Sequence, residues 1–178
     1  MKVYIGEVKK EVGRTSHEVC VEDFKPLSFQ GEKIIFARPV QVELDLVNCK
    51  SEILLEGWVK TGLVLNCSRC LKPFVYEAII PFRLECRNVS RLVRPSDLEA
   101  EFREADEVAY FFEDENFIDI TWEVRETLLL GLPMKPLCRD SCQGICPVCG
   151  KNRNDESCLC QKEEVDPRLA VLKKLKLG

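Results

Sequence analysis

Val40-Gln-Val-Glu-Leu-Asp-Leu46 alternates apolar and polar residues without a break. A period of two places Val40, Val42, Leu44 and Leu46 on one face of an extended chain and Gln41, Glu43 and Asp45 on the other. That is the pattern of a half-buried β-strand, and it sets the reading of its surroundings. Ile53–Val59 and Leu63–Asn66 are further strand candidates, and Lys60-Thr61-Gly62 between them reads as a hairpin turn. Phe74–Cys86 is another β-rich run, where Pro81 points to an edge strand or a bulge. Glu107–Glu113 continues the series. Arg87–Asp106 is charged and contains Pro95, so it reads as an exposed connection with one short helix.

Helical signals come later. Asp119 or Thr121 can cap a helix running to about Leu130, with Trp122, Arg125, Glu126 and Leu129 at helical intervals and Gly131 and Pro133 as the stop. Asp166 is a good N-cap and Pro167 suits the first helical position, after which Leu169, Leu172 and Leu175 share a face. The expected fold class is therefore α+β. A mainly antiparallel β body, as a sheet or partly open barrel, carries a central helix, a cysteine-rich zinc module and a short C-terminal helix. The body is expected to span residues 1–133 and the module residues 134–178.

Composition narrows the chemistry. The chain has 178 residues, 46% of them apolar and 31% charged, enough for a real core and against wholesale disorder. No apolar run approaches the roughly 18–20 residues of a membrane span. Residues 1–10 carry charges where a secretory signal needs an apolar stretch, so a cytoplasmic location is expected. Eleven cysteines stand against a single histidine, His17. In a reducing compartment, ordered cysteine spacings argue for metal or thiol chemistry rather than disulfides. A hydrolytic zinc site usually takes His or carboxylate ligands and keeps one position open, whereas four cysteines close the site.

Eight of the cysteines fall into pairs. Cys67-Ser-Arg-Cys70 follows a strand and Cys146-Pro-Val-Cys149 follows a polar loop; around the latter lie Cys138-x3-Cys142 and Cys158-x-Cys160. A two-residue gap lets a tight turn bring both sulfurs to one cation, and residues i and i+2 of an extended chain point the same way. The preferred grouping joins Cys67, Cys70, Cys138 and Cys142 at one site and Cys146, Cys149, Cys158 and Cys160 at the other. The rival grouping joins Cys138 and Cys142 to Cys146 and Cys149. Two zinc ions are the favoured cofactors. An iron–sulfur cluster is the weaker choice, because the spacings match neither ferredoxin pattern. A thiol-redox pair is weaker still. Cys20, Cys49 and Cys86 read as small core residues, Trp58 and Trp122 as packing residues, and His17 receives no role.

Charge is unevenly spread. Residues 81–94 carry a net charge of +3, residues 95–126 a net of −10 and residues 127–178 a net of +3, within a total of −4. Bulk attraction to nucleic acid is therefore excluded, and only a local basic face serves that purpose. Each set of four thiolates around Zn²⁺ leaves a formal charge of −2 to be offset. Arg69, Lys72, Arg139, Lys151 and Arg153 lie in or beside the knuckles and suit charge compensation as well as RNA contact.

The residues resemble the bacterial YceD family. The resemblance rests on Cys-Ser-Arg-Cys-Leu-Lys-Pro-Phe (67–74), Ile118-Asp-Ile-Thr121, Glu126, Leu132-Pro133, the run Pro136–Asn152, Cys158-Leu-Cys160 and Asp166-Pro-Arg168. It is specific from about residue 52 onward. It implies a large ribosomal RNA subunit accumulation protein, associated with precursor or mature large-subunit rRNA and ribosome assembly. Some relatives look similar at the first Cys-x-x-Cys only, which favours the first grouping of cysteines.

On that resemblance the expected function is a non-enzymatic, zinc-stabilised factor that binds large-subunit rRNA or its precursor. Arg87, Arg91 and Arg94 are candidate phosphate contacts beside the five knuckle cations, and Phe74 and Tyr76 are candidate stacking residues. The bland readings are a solvated loop and strand packing. The alternative function is an adaptor that docks on a ribosomal protein or assembly factor without touching RNA, for which the −10 segment suits a basic partner. No small-molecule substrate or membrane partner is expected. An RNA-processing enzyme needs an activated nucleophile or an open metal site, and Asp106, Asp114 and Asp119 show no ligand pattern.

Overall fold

The computed structural model describes residues 1–29, 31–50, 52–89 and 108–160. The strands are β1 (Lys2–Tyr4), β2 (Thr15–Glu22), β3 (Leu27–Phe29), β4 (Glu32–Phe36), β5 (Val40–Asn48), β6 (Glu52–Asn66), β7 (Pro73–Val89), β8 (Val108–Phe112) and β9 (Phe117–Asp119), followed by helix α1 (Thr121–Leu130). The fold is α+β, mainly antiparallel and open. Val40, Val42, Leu44 and Leu46 are all buried on one face of β5, as their alternation requires. Fully burying side chains of this kind contributes roughly 1.5–3 kcal/mol each.

β6 and β7 form the long hairpin on which the sheet is built, paired from Glu52↔Arg87 to Asn66↔Pro73. On its other edge β6 changes partner. It pairs with β5 over Ile53–Lys60 and with β4 at Leu63 and Val64. Lys60-Thr61-Gly62 lies at this change, inside one continuous strand, so the expected hairpin turn there is corrected. Thr61 and Gly62 keep their pairing to Ala78 and Glu77. The Thr61 hydroxyl donates to the Arg38 carbonyl at 3.0 Å, and at Gly62 an added Cβ would crowd the Arg38 guanidinium. Residues that resemble a turn here admit a crossing chain. β2 flanks β5, β3 flanks β4, and β8 joins β7 as the one parallel pair among the described residues, over Glu85–Val89. Pro81 lies before that pairing begins, where β7 is an edge among the described residues, in keeping with its missing N–H.

One face of the sheet shares a core with α1 and with the two-stranded pair β1–β9. Val124 and Leu128, four residues apart, are the buried residues of the helix. The N-cap is Ile120, which has no side-chain cap bond, rather than the expected Asp119 or Thr121; Asp119, one residue earlier, accepts at Oδ1 from the Thr121 N–H (2.9 Å) and hydroxyl (2.5 Å). At the other end, a Cβ at Gly131 would collide with Ile80, so this glycine lets the helix finish close over β7. Both tryptophans depart from the packing role expected of them: Trp58 is 48% exposed and Trp122 67%. Trp58 belongs to the opposite face of the sheet, with Val19, Val21 and Ile79, all exposed. Cys86 is buried in the core, whereas Cys49 is exposed. No helix among the described residues is long and apolar enough to cross a membrane. The expected connection Arg87–Asp106 is corrected at its start, since β7 runs to Val89; its remainder from residue 90, with Arg91 and Arg94, and the expected C-terminal helix lie outside the described residues.

Gly57 sets the spacing of β5 and β6. A Cβ there would run into the backbone carbonyl of Glu43. Gly57→Ala is expected to cost about 1–3 kcal/mol, since a strand must shift to admit the methyl group. Thermal unfolding checks this, with a fall in Tm of about 2–4 °C per kcal/mol for a chain of this size. An unchanged Tm would contradict it.

Candidate metal centres

The β6–β7 hairpin turns at Cys67-Ser-Arg-Cys-Leu-Lys72. The Cys67 N–H donates to the Lys72 carbonyl and the Leu71 N–H to the Cys67 carbonyl, both at 2.9 Å. The same two bonds recur in the second knuckle, from Cys146 to Lys151 at 2.8 Å and from Gly150 to Cys146 at 2.9 Å. Each turn requires a left-handed residue after its second cysteine. Gly150 meets that at φ 72°, and in the first knuckle Leu71 is forced there at φ 59°.

These turns aim backbone N–H groups at the leading sulfur. N–H groups of Cys138, Cys70 and Arg69 hold the Cys67 thiol down at about 6. Those of Cys149 and Val148, with the Arg153 guanidinium, do the same for Cys146, at about 6. Their neighbours go the other way. Loss of water around its sulfur and the adjacent thiols push Cys138 up to about 12, and the Cys149 sulfur, followed by burial, pushes Cys160 up to about 12. Four thiols this close do not all ionise unaided, and a shared dication is what would let them.

The side chains gather into two sets, Cys67 with Cys70, Cys138 and Cys142, and Cys146 with Cys149, Cys158 and Cys160; within each set the sulfurs lie within 4.8 Å of one another. In the first set Cys67 and Cys142 are 3.8 Å apart, as are Cys70 and Cys138. A tetrahedron of sulfurs about 2.3 Å from a central ion has edges of about 3.8 Å. The donor set and its spacing thus fit one four-coordinate ion in each place. This is the first of the two groupings expected from the spacings.

The two sets are mechanically joined. Ser68 donates its N–H to the Pro136 carbonyl at 2.8 Å, and Arg69 donates through Nη1 to the carbonyls of Asp140 (3.0 Å) and Cys142 (2.9 Å). From the second loop, the Asn154 amide donates to the Cys142 sulfur at 3.3 Å while its oxygen accepts from the Gln143 N–H and from Arg139. Against burial, Asn154 and the Gly144 N–H hold Cys142 low. Asn154 escaped sequence reading because a lone asparagine in a polar loop carries no spacing signal.

The candidate cations are placed around these centres. Arg153 reaches the Cys146 sulfur at 3.7 Å, which is charge compensation in the direct sense. Lys72 pairs with Asp155, Lys151 with Glu156 at 3.0 Å, and Arg139 with Asn154 at 2.8 Å. Arg87 lies apart on β7, 3.7 Å from both Glu52 and Glu85. Phe74 packs against the first cysteine set and Tyr76 against the main core.

Leu71 is exposed, so little packing is lost on replacing it. Leu71→Gly should raise stability by up to about 1 kcal/mol, the left-handed strain of leucine outweighing the entropy of glycine. Urea unfolding reads the change, and a loss of stability would contradict it.

Comparison with known proteins places these loops in context. The description "Large ribosomal RNA subunit accumulation protein YceD" matches residues 55–176. The chain is similar to an uncharacterized protein of Mycobacterium tuberculosis, 32% identical over 79% of this chain and 65% of that protein. It is similar to the chloroplastic large ribosomal RNA subunit accumulation protein YCED homolog 1 of Arabidopsis thaliana, 28% identical over 72% of this chain and 46% of that protein. It is also similar to the uncharacterized protein YlbN of Bacillus subtilis, 34% identical over 77% of this chain and 74% of that protein. The chain thus spans less than two thirds of the mycobacterial and plant relatives. No solved structure matches it. With all eight clustered cysteines inside the matched segment, the chain belongs to the YceD family.

Proposed function

We propose that this chain is a non-enzymatic cytoplasmic factor, held together by two zinc ions, that binds large-subunit rRNA or its precursor and supports its accumulation during ribosome assembly. The observation that carries the reading is the family match across residues 55–176, taken with the rRNA-accumulation name borne by the Arabidopsis relative. Cys67, Cys70, Cys138 and Cys142 would hold one ion and Cys146, Cys149, Cys158 and Cys160 the other. Bound there, zinc supplies a crosslink between chain segments and positive charge against the thiolates. Four cysteines leave no position for water, which supports a structural rather than catalytic role. The first ion would tie the body, residues 1–133, to the module that begins at residue 134, and the second would lie within that module.

Arg69, Lys72, Arg139 and Lys151 surround the two centres with exposed side chains and are the proposed phosphate contacts, joined by Arg87 and Arg153. Each has a protein partner, which lends weight to the adaptor reading without RNA contact. Lys72, Lys151 and Arg87 pair with exposed carboxylates, which bind weakly in water, so a phosphate can take the carboxylate's place there.

Three experiments bear on this. Cys67→Ser should lose metal and destabilise the whole body, whereas Cys158→Ser should lose one ion and loosen mainly residues after 134; hydrogen exchange separates the two patterns. Equal global unfolding by both would contradict the assignment. Ultraviolet crosslinking in living cells, followed by sequencing of the attached RNA, should give focused sites in large-subunit rRNA. In vitro, Lys151→Gln should lower the slope of log affinity against log salt by about 0.7–0.9. Absence of crosslinks, with ribosomal proteins retained after nuclease treatment, would transfer the function to the adaptor.

A further inference from the structure

A groove of about 830 Å³ runs from the open face of the sheet around the edge of β7 to the end of α1. Its apolar wall is Trp58, Ile80, Pro81 and Leu130. Trp58 and Leu130 leave 48% and 87% of their surface exposed, and no described residue covers them. Tryptophan is among the residues enriched at recognition hot spots, and Trp58 stands half-exposed on a strand face beside a concavity.

The register adds the charge. Glu43, Trp58 and Pro81 lie directly opposite one another across β5, β6 and β7, and the adjacent row is His17, Asp45, Glu56 and Arg83 across β2, β5, β6 and β7. Asp45 and Glu56 are thus like charges placed opposite on neighbouring strands, an arrangement that destabilises a sheet. Arg83 at 3.4 Å from Glu56 and the His17 ring at 2.8 Å from Asp45 offset this from the ends of the row. Glu43 is engaged by Lys60 at 2.5 Å. The lining side chains are three carboxylates and one guanidinium; with Lys60 at Glu43 and Arg83 at Glu56 the groove keeps a net negative charge centred on Asp45, which disfavours phosphate and favours a cation.

Guanidinium matches both parts of the surface. Its flat face stacks on an indole and its fork bonds carboxylates in pairs, neither of which an ammonium does as well. The edge of β7 that borders the groove has no strand partner before Glu85 among the described residues, which suits an extended chain, and Pro81 blunts it against indiscriminate strand pairing.

We propose that this groove docks an arginine-bearing extended segment of a basic protein, one arginine stacked on Trp58 and held by Asp45 and Glu56. The site is remote in kind from the knuckle cations proposed for RNA, and it does not depend on that reading. The test is fluorescence anisotropy of a labelled arginine-rich peptide titrated with the full-length, metal-loaded protein, beside the same peptide with lysine in place of every arginine. Saturable binding, preference for the arginine peptide, and a loss of about tenfold or more in Trp58→Ala are expected. Glu56→Gln should weaken binding and flatten its salt dependence, while Trp58→Phe should retain part of it. Circular dichroism confirms that each variant stays folded. Equal affinity for both peptides with no effect of Trp58→Ala would overturn the proposal, as would protection of Trp58 by an RNA oligonucleotide or by self-association instead of by the peptide.

Discussion

The end of the β6–β7 hairpin is drawn against the segment that follows α1, and the sulfurs of Cys67, Cys70, Cys138 and Cys142 are what meet there. Much else follows from that meeting. A hairpin whose strands run 15 and 17 residues carries its turn just past Leu65 and Tyr76, where the main core ends and a small cluster of Cys67, Cys70 and Cys142 begins. Closing it with a four-sulfur cage fixes the tip and, through the Ser68–Pro136 and Arg69–Cys142 bonds, fixes the chain beyond the helix as well. The second cage then leans on the first through Asn154.

Electrostatics gives the same picture from another side. Backbone N–H groups at the two knuckles lower the Cys67 and Cys146 thiols to about 6, which favours their thiolate forms. Their partners Cys138 and Cys160 need a cation to ionise. Each set of sulfurs is half prepared by its own turn, and a cation would complete it. A small module that cannot bury much apolar surface would gain stability in this way.

Sequence reading reached the parts of the fold that rest on short-range rules. The alternation in Val40–Leu46, the helix over Thr121–Leu130, the edge position of Pro81 and the pairing of cysteines within each knuckle all depend on neighbours within a few residues, whereas spacing left two ways of joining those pairs across 68 to 75 residues. It failed where a local signal had two causes. Lys60-Thr61-Gly62 carries the residues of a turn, yet Gly62 is small because Arg38 crosses it and the strand changes partner there. Trp58 and Trp122 carry no mark that separates an anchor from a packing residue, since exposure is decided by which face of the sheet or helix the rest of the chain covers. The parallel pairing of β8 depends on a connection whose return path no periodicity specifies. Leu71 occupies a glycine position because the hairpin register demands it, a constraint visible only once Cys67 and Lys72 are seen to pair.

X-ray absorption at the metal edge of the purified protein tests the central claim most directly, because it reads ligand type, distance and nuclearity together. The account predicts zinc at two ions per chain, with a single shell of four sulfurs at about 2.3 Å and no metal–metal scattering. A shell containing nitrogen or oxygen, an iron–iron distance, or one ion per chain would contradict it.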